Sequence, residues 1–439
     1  MRLHRDYKIF WRSWVMSEWI SSSLGELVTF QKGRKVDTSP FPLSGYEHYL
    51  GAGSLSGAYD GYASSLYSVK ADEKDILMLW DGERSGLCSH GLNGVVSSTV
   101  CKLTPKNNIR SDFLYYFLAN KFEWIQNRRT GTGVPHVPKD IGRILNVRYP
   151  KCLDTQQKIA DFLGSIDKSI SGTNTLIRKY KKIKKGMMLD LFTRGVDANG
   201  KLRPSYEKAP YLYQVSPIGI IPKNWFISSV DKLLAPVANS FRSGPFGSSL
   251  LKSELVEDGI PFLGIDNIHT EYFNDTFKRF VSEKKFNELK RYAVRPRDVV
   301  ITIMGTVGRA AVLPPDIGLA LSSKHLWTMT FDQALIIPEL VCWQLNYSPW
   351  VRAWFRKETQ GGIMDAIQSK TLKSLILPLP SMDEQNLIYE KYSVIAEKIQ
   401  AEEKNLEKLL KEKEGLMNDL LIGKVHVQTK QKGTEAPHV

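Results

Sequence analysis

The side chains best placed by type and spacing to do chemistry lie in glycine-containing loops that also carry basic or amide groups. In the first half they are Lys32 and Arg34 around Gly33, Arg84 within residues 81–86, and Arg128, Arg129, Thr132, His136 and Lys139 within residues 128–139. In the second half they are Ser248 within residues 242–250, Arg309 within 305–309, Lys324 and His325 within 322–325, and Gln360, Gln368 and Lys370 within 359–370. Arg and Lys pair with the O6/N7 edge of guanine, Gln with the N6/N7 edge of adenine, and hydroxyls with either. Glycine lets a backbone come close to a groove, so these loops are candidates for reading a nucleic acid.

Patterns that would signal catalysis fail on inspection. Gly195-Val196-Asp197-Ala198-Asn199-Gly200-Lys201-Leu202 has the glycine and lysine spacing of a phosphate loop, but Leu202 stands where a magnesium-binding hydroxyl is needed. It also follows a helical pattern, which predicts a helix stop and a turn. Thr130-Gly131-Thr132-Gly133 follows Arg128-Arg129 and not an apolar strand, so a methyl-donor pocket is not expected there. The Pro-Pro pair at 314–315 precedes Asp316 and not an aromatic residue, and neither H-E-x-x-H nor G-x-S-x-G occurs. The four cysteines, Cys88, Cys101, Cys152 and Cys342, form no CxxC pair, and the eight histidines lack ligand spacing. The expectation is a chain with no catalytic residue, no metal site and no cofactor of its own.

The elements that must carry these loops emerge from composition and repetition. The chain has 439 residues, 42% hydrophobic and 24% charged, which suits a globular protein of two or three domains. A net charge of +14 and a pI near 9.3 call for a polyanionic partner, because clustered cations release counterions on phosphate. No apolar run reaches the length of a membrane span and no leader pattern opens the chain, so a cytoplasmic protein without membrane contact is expected. The opening before Met16 reads as an N-terminal extension.

Asp154-Thr155-Gln156-Gln157 matches Asp383-Glu384-Gln385-Asn386, and Lys185-Gly186-Met187-Met188 matches Glu414-Gly415-Leu416-Met417, both at an offset of 229 residues. Gly133-Val134 matches Gly362-Ile363 at the same offset, and Asp75-Ile76-Leu77 resembles Asp298-Val299-Val300. The chain therefore reads as a tandem duplication in which a globular part, opened by Trp19 or Trp225, precedes a similar helix. The first helix has a seam at Ile159, Leu163, Ile166, Ile170, Thr173, Ile177, Tyr180, Lys184, Met187 and Leu191. The second has one at Ile388, Tyr392, Ile395, Ile399, Glu402, Leu406, Leu409, Lys413, Leu416 and Leu420. Both are heptad seams broken by polar residues at the same two steps, and Gly195 and Gly423 stop the helices alike. The periodicity predicts two helices of about 33 residues, roughly 50 Å long, paired with each other. Residues 178–185 make the first helix strongly basic.

Apolar runs at 76–80, 95–103, 299–304 and 326–331 predict strands, and residues 112–126 and 338–355 predict helices. The fold expected is α/β: two similar domains with mixed sheets, separated by two long helices forming an antiparallel coiled coil. The expected segments are an extension (1–15), a first domain (16–152), a first spacer helix (153–195), a linker (196–222), a second domain (223–381), a second spacer helix (382–424) and a tail (425–439).

Residues 154–191 with the stop Thr193-Arg194-Gly195, the run from Ser216 to Trp225, Ser243-Gly244-Pro245-Phe246-Gly247-Ser248, Leu377-Pro378-Leu379-Pro380, Asp383-Glu384-Gln385 and residues 420–425 resemble the specificity subunits of type I restriction-modification enzymes. The resemblance covers about residues 16–427, with Asn386 in place of the second Gln of the usual Glu-Gln-Gln. It implies that two target recognition domains each read half of a split sequence in double-stranded DNA. It also implies that the helices dock methyltransferase subunits, as two copies, with endonuclease/translocase subunits joining them. Methyl donor, adenine methylation and ATP-driven cleavage would then belong to the partners. A stand-alone DNA methyltransferase or nuclease, and a duplicated coiled-coil scaffold without DNA, stay open as alternatives.

Overall fold

The structure is a computed structural model, and it describes residues 18–131, 133–358 and 367–425. Residues 1–15, Thr132, Gln360, Gly362-Ile363 and the tail beyond 425 lie outside the described residues. The chain divides into two units. One contains the described residues up to Thr175 together with those from Glu403 on, and the other is Leu176–Glu402.

Each unit is built on the same sheets. In the first, an antiparallel sheet runs in the order Val28–Lys32, Val100–Pro105, Ile76–Leu79, Cys88–His90. In the second the order is Phe241–Arg242, Leu326–Met329, Val299–Thr302, Ala310–Val312. The central strands Ile76–Leu79 and Val299–Thr302 are buried at every residue. A strand shows alternate side chains to opposite faces, and both faces are covered here. Ile76 and Met78 join one apolar cluster while Leu77 and Leu79 join another. Val299 and Ile301 likewise face a different cluster from Val300.

A second sheet in each unit is mixed, because Tyr46–Leu50 runs parallel to Gly94–Val96, and Ile260–Leu263 parallel to Leu321–Ser322. A two-stranded ribbon closes each domain, pairing Trp19–Ser23 with Asn146–Pro150 and Phe226–Ser229 with Ile376–Leu379. The expected α/β class with mixed sheets is what the chain adopts.

A buried carboxylate precedes each central strand and is satisfied in the same manner. Asp75 accepts from the Thr104 hydroxyl at 2.5 Å and the Asp72 N–H at 3.0 Å. Asp298 accepts from the Thr330 hydroxyl at 2.5 Å and the Arg295 N–H at 2.6 Å. The counter-charges differ: Lys102 lies 3.7 Å from Asp75, whereas Arg242 pairs directly with Asp298.

Three stretches divide where continuous elements were expected, and 112–126 does so at Lys121, into helices Ser111–Asn120 and Phe122–Gln126. The run at 95–103 becomes Gly94–Val96 and Val100–Pro105, separated by a turn at Ser97–Thr99 in which Val100 N–H bonds Ser97 C=O at 2.9 Å. Ser97 and Thr99 hydroxyls bond each other at 3.1 Å, and such local bonding competes with a ladder. The split lets one run serve both sheets. The stretch 338–355 becomes Pro338–Tyr347 and Pro349–Glu358. Pro349 lacks an N–H and drives Ser348 to an extended backbone at ψ 131°.

The long helices run over Leu153–Thr193 and Met382–Leu421, 41 and 40 residues, longer than the seam alone indicates because each adds a first turn anchored by a buried glutamine. All twenty seam positions are buried or half-buried. In the first unit Ile159 and Leu163 share a cluster with Met417, Leu420 and Leu421. In the second, Met188, Leu191 and Phe192 share one with Ile388 and Tyr392. The start of each helix thus meets the end of the other, which is antiparallel pairing.

The two lysines in the seams carry ion pairs. Lys413 meets Asp167 at 2.6 Å, and Asp167 also accepts from the Tyr116 hydroxyl at 2.8 Å. Lys184 and the Tyr392 hydroxyl both bond Glu271. The helix stops are alike as well. Gly195 and Gly423 have φ of +62° and +76°, which glycine adopts without a Cβ penalty. A Cβ would fall 2.5 Å from the Trp225 ring at Gly195 and 2.8 Å from the Trp19 ring at Gly423. The segment 196–222 turns through a Val196–Leu202 bridge and a hairpin of Tyr213–Ser216 with Gly219–Pro222. Arg203 ties it to Glu384 by a two-pronged ion pair, with the second prong at 2.9 Å.

Candidate nucleic-acid interface

In the first unit three loops expected to read a groove converge on Asp81. Lys32, at the end of strand Val28–Lys32, places its ammonium 2.8 Å from one Asp81 oxygen. His136 places Nδ1 2.7 Å from the other. A carboxylate oxygen accepts, so Nδ1 is the donating nitrogen and the bond fixes the orientation of the ring, with Nε2 on its far side. Backbone bonds lock the loops together: Thr130 and His136 pair both ways, and Gly82 N–H reaches Pro135 C=O at 2.8 Å.

The remaining cations divide by what holds them. Arg129 is occupied, bonding the carbonyls of Gln126 at 2.8 Å and Glu83 at 2.6 Å, and so joins two loops. Arg128 stacks over Trp124 at 4.0 Å, Arg84 bonds the Ser56 hydroxyl at 2.9 Å, and Arg34 and Lys139 are exposed. The surface thus combines fixed side chains, which can specify, with free ones, which can hold phosphate.

In the second unit the equivalent loops follow Phe241–Arg242 and connect Val299–Thr302 to Ala310–Val312. Ser248 and Arg309 are exposed on them, as are Lys324, Gln368 and Lys370 nearby in sequence to strands and helix ends of the same unit. His325 Nδ1 lies 3.3 Å from Met304 Sδ. Burial first, and then Lys324 and Arg279, lower its pKa and favour the neutral ring. Trp327 Nε1 donates to Ile367 C=O at 2.7 Å, tying the core strand to the segment that carries Gln368 and Lys370. Arg242, which begins one of the expected loops, is instead a core residue. It is 5% exposed, donates to Ala293 C=O at 2.7 Å and pairs with Asp298, so it cannot reach a groove.

Sequence reasoning gave no role to Asp81, which joins the loops of the first unit, nor to Asp167, Glu271 and Glu384, which tie the helices and the linker. Only the seam interruptions at Lys184 and Lys413 signalled any of them. Among the described residues, no helix is long and apolar enough to cross a membrane.

Two copies of one mixed α/β domain, leading into helices of 41 and 40 residues that pair antiparallel with each other, define a duplicated recognition module. The chain belongs to the family described as the type I restriction modification DNA specificity domain, whose model matches residues 16–182 and 246–411. It is 30% identical over 433 residues to the type I restriction enzyme MjaVIII specificity subunit of Methanocaldococcus jannaschii, covering 94% of each chain. It is also 21% identical to the EcoBI specificity subunit of Escherichia coli, over 85% of this chain and 78% of that one. A crystal structure of the S subunit of the type I restriction-modification system from M. genitalium shares the fold, with a TM-score of 0.60 at 15% identity over 95% of this chain and 99% of that one. A structure described in terms of complex assembly and conformational transition of the type I R-M system aligns with a TM-score of 0.53 at 15% identity, over 93% and 98%.

Proposed function

We propose that this chain is the DNA specificity subunit of a type I restriction-modification complex. The observation that carries the reading is the doubled match: the family model covers both halves, and each half has the same sheets, buried aspartate and helix. Each domain reads one half of a bipartite double-stranded target, through Lys32, Arg34, Arg84, Arg128, His136 and Lys139 in the first and Ser248, Arg309, Lys324, His325, Gln368 and Lys370 in the second. Thr132 and Gln360 belong to the same two sets by their place in the sequence. The paired helices dock two methyltransferase subunits, which supply the methyl donor site and modify adenine, and endonuclease/translocase subunits complete the cleaving form. The chain itself is non-catalytic and works in the cytoplasm with the DNA.

The test replaces residues 16–152 with the corresponding half of another specificity subunit, expresses it with the methyltransferase partner, and sequences the methylated motif. One half-site should change and the other persist; a change in both shows that the domains are not independent readers. The purified chain alone should neither methylate nor cleave. Methyl transfer by the single chain would overturn the reading in favour of a stand-alone enzyme.

A further inference from the structure

The second unit holds a cleft of about 960 Å³ between the first long helix and the second domain. Three elements supply its cations: Lys182 and Lys185 on the helix, Arg352 and Arg356 on helix Pro349–Glu358, and Arg309 on the hairpin that follows the central strand. All five are exposed, and among the described residues no acidic side chain lines the cleft. The nearby Glu271 is already engaged by Lys184 and Tyr392.

Like charges three and four residues apart on a helix repel. Here two such pairs face a fifth cation across one cleft, an arrangement that an anion relieves. The span over three elements exceeds what one small anion could neutralise. Arg309 also belongs to the set expected to meet DNA, so the cleft adjoins that surface.

We propose that this cleft anchors the phosphate backbone of the duplex beside the half-site read by the second domain. The inference rests on the reading of the chain as a DNA specificity subunit and adds a sequence-independent grip, part of it on the spacer helix. It supplies affinity and register, while base choice stays with the loops.

The experiment uses the chain assembled with its methyltransferase partner. Binding to a random-sequence duplex of about 40 base pairs, and to one carrying the methylated motif, is measured across a salt series. In the K182Q/K185Q/R352Q/R356Q variant the slope of log affinity against log salt should fall by roughly one unit per phosphate contact removed, about two to four in all. Both duplexes should weaken by a similar factor, with the methylated motif unchanged. The charge-preserving K182R/K185R variant should keep the parental slope, and a drop there would mean that packing, not charge, was lost and would overturn the proposal. An unchanged slope in the Gln variant overturns it too. Loss of the methyltransferase partner with an unchanged slope would make the cleft a protein-docking face instead. If the parental complex binds neither duplex, the specificity-subunit reading fails, which is a different result from a bound complex whose slope ignores the cleft.

Discussion

Gln156 and Gln385, 229 residues apart, hold the same place in the two units. Gln156 accepts from the Arg110 N–H at 2.8 Å and donates to the Pro150 carbonyl at 2.8 Å. Gln385 accepts from the Ile337 N–H at 2.9 Å and donates to the Pro380 carbonyl at 3.0 Å. Arg110 and Ile337 are the residues that begin helices Ser111–Asn120 and Pro338–Tyr347. One amide therefore joins the end of a closing strand, the first turn of a spacer helix and the start of a domain helix.

Both side chains are fully buried, so truncation strands a backbone donor and a carbonyl away from water. Gln156→Ala and Gln385→Ala should each destabilise by about 2 to 6 kcal/mol, at about 1 to 3 kcal/mol for each of two orphaned groups. Because the two sites lie in separate units, the double variant should lose the sum to within about 0.5 kcal/mol. Urea titrations followed by circular dichroism give these values, and a loss below about 1 kcal/mol for either single variant would show that the bonds are redundant.

What was legible in the sequence is what repeats at short range or by duplication. The seams from Ile159 to Leu191 and from Ile388 to Leu420 announce themselves by period, and the 229-residue offset pairs them. Asp75 and Asp298 surfaced for the same reason. The partners of the loop residues did not, since Asp81 with His136, Arg203 with Glu384, and Lys184 with Glu271 are contacts between residues far apart in sequence and leave no period. Arg242 was misplaced because an arginine after a short strand reads the same whether it turns outward or inward to a buried carboxylate. The run at 95–103 hid its turn because Ser and Thr occur in strands as well as in turns.

Asp81 should act as the positioning residue of the first domain. Replacing it with Asn removes the charge that holds Lys32 and lets the amide turn either its oxygen or its NH2 to His136 Nδ1, so the ring is no longer held to one role, while deleting a negative charge on the proposed DNA surface. D81N should thus bind a scrambled duplex at least as well as the parent yet discriminate the motif less well. His136→Ala should lower discrimination by about 1 kcal/mol, near the low end for a base-edge contact, and only at the half-site of the first domain. Affinity ratios for motif and scrambled duplexes at one fixed salt concentration decide it. Equal losses on both duplexes would assign His136 to the backbone.

The cysteines should separate by reactivity. Cys152 is exposed just before the first long helix, where the Thr155 N–H favours the thiolate and lowers the pKa from 9.0. Burial raises the other three, with Cys101 pushed up to about 11. A disulfide reagent at pH 8 should titrate one thiol in the native chain and all four after unfolding. The native rate should slow as the pH falls through the lowered value, because the thiolate is the nucleophile. A second thiol reacting equally fast in the native chain would contradict the burial of Cys88, Cys101 and Cys342.

The long helices give the strongest test of how the two half-sites are spaced. Each passes from one unit to the other, at Thr175–Leu176 and at Glu402–Glu403. Inserting one heptad after Thr173 and another after Glu402 keeps both seams in register and lengthens each helix by about 10 Å, at about 1.5 Å per residue. At about 3.4 Å per base pair that equals roughly three base pairs of added gap. It also turns one reader about the duplex by about a third of a turn, since a full turn takes about 10 to 10.5 base pairs. The doubly extended chain should therefore recognise the same half-sites across a longer gap or lose binding, without reading new bases. A heptad in one helix alone should break the antiparallel match of Ile159 and Leu163 with Leu420, or of Leu191 with Ile388, and lower stability. Sequencing the motif methylated by the doubly extended chain with its partner settles the point, and an unchanged gap at full activity would mean that something other than the helices measures the distance.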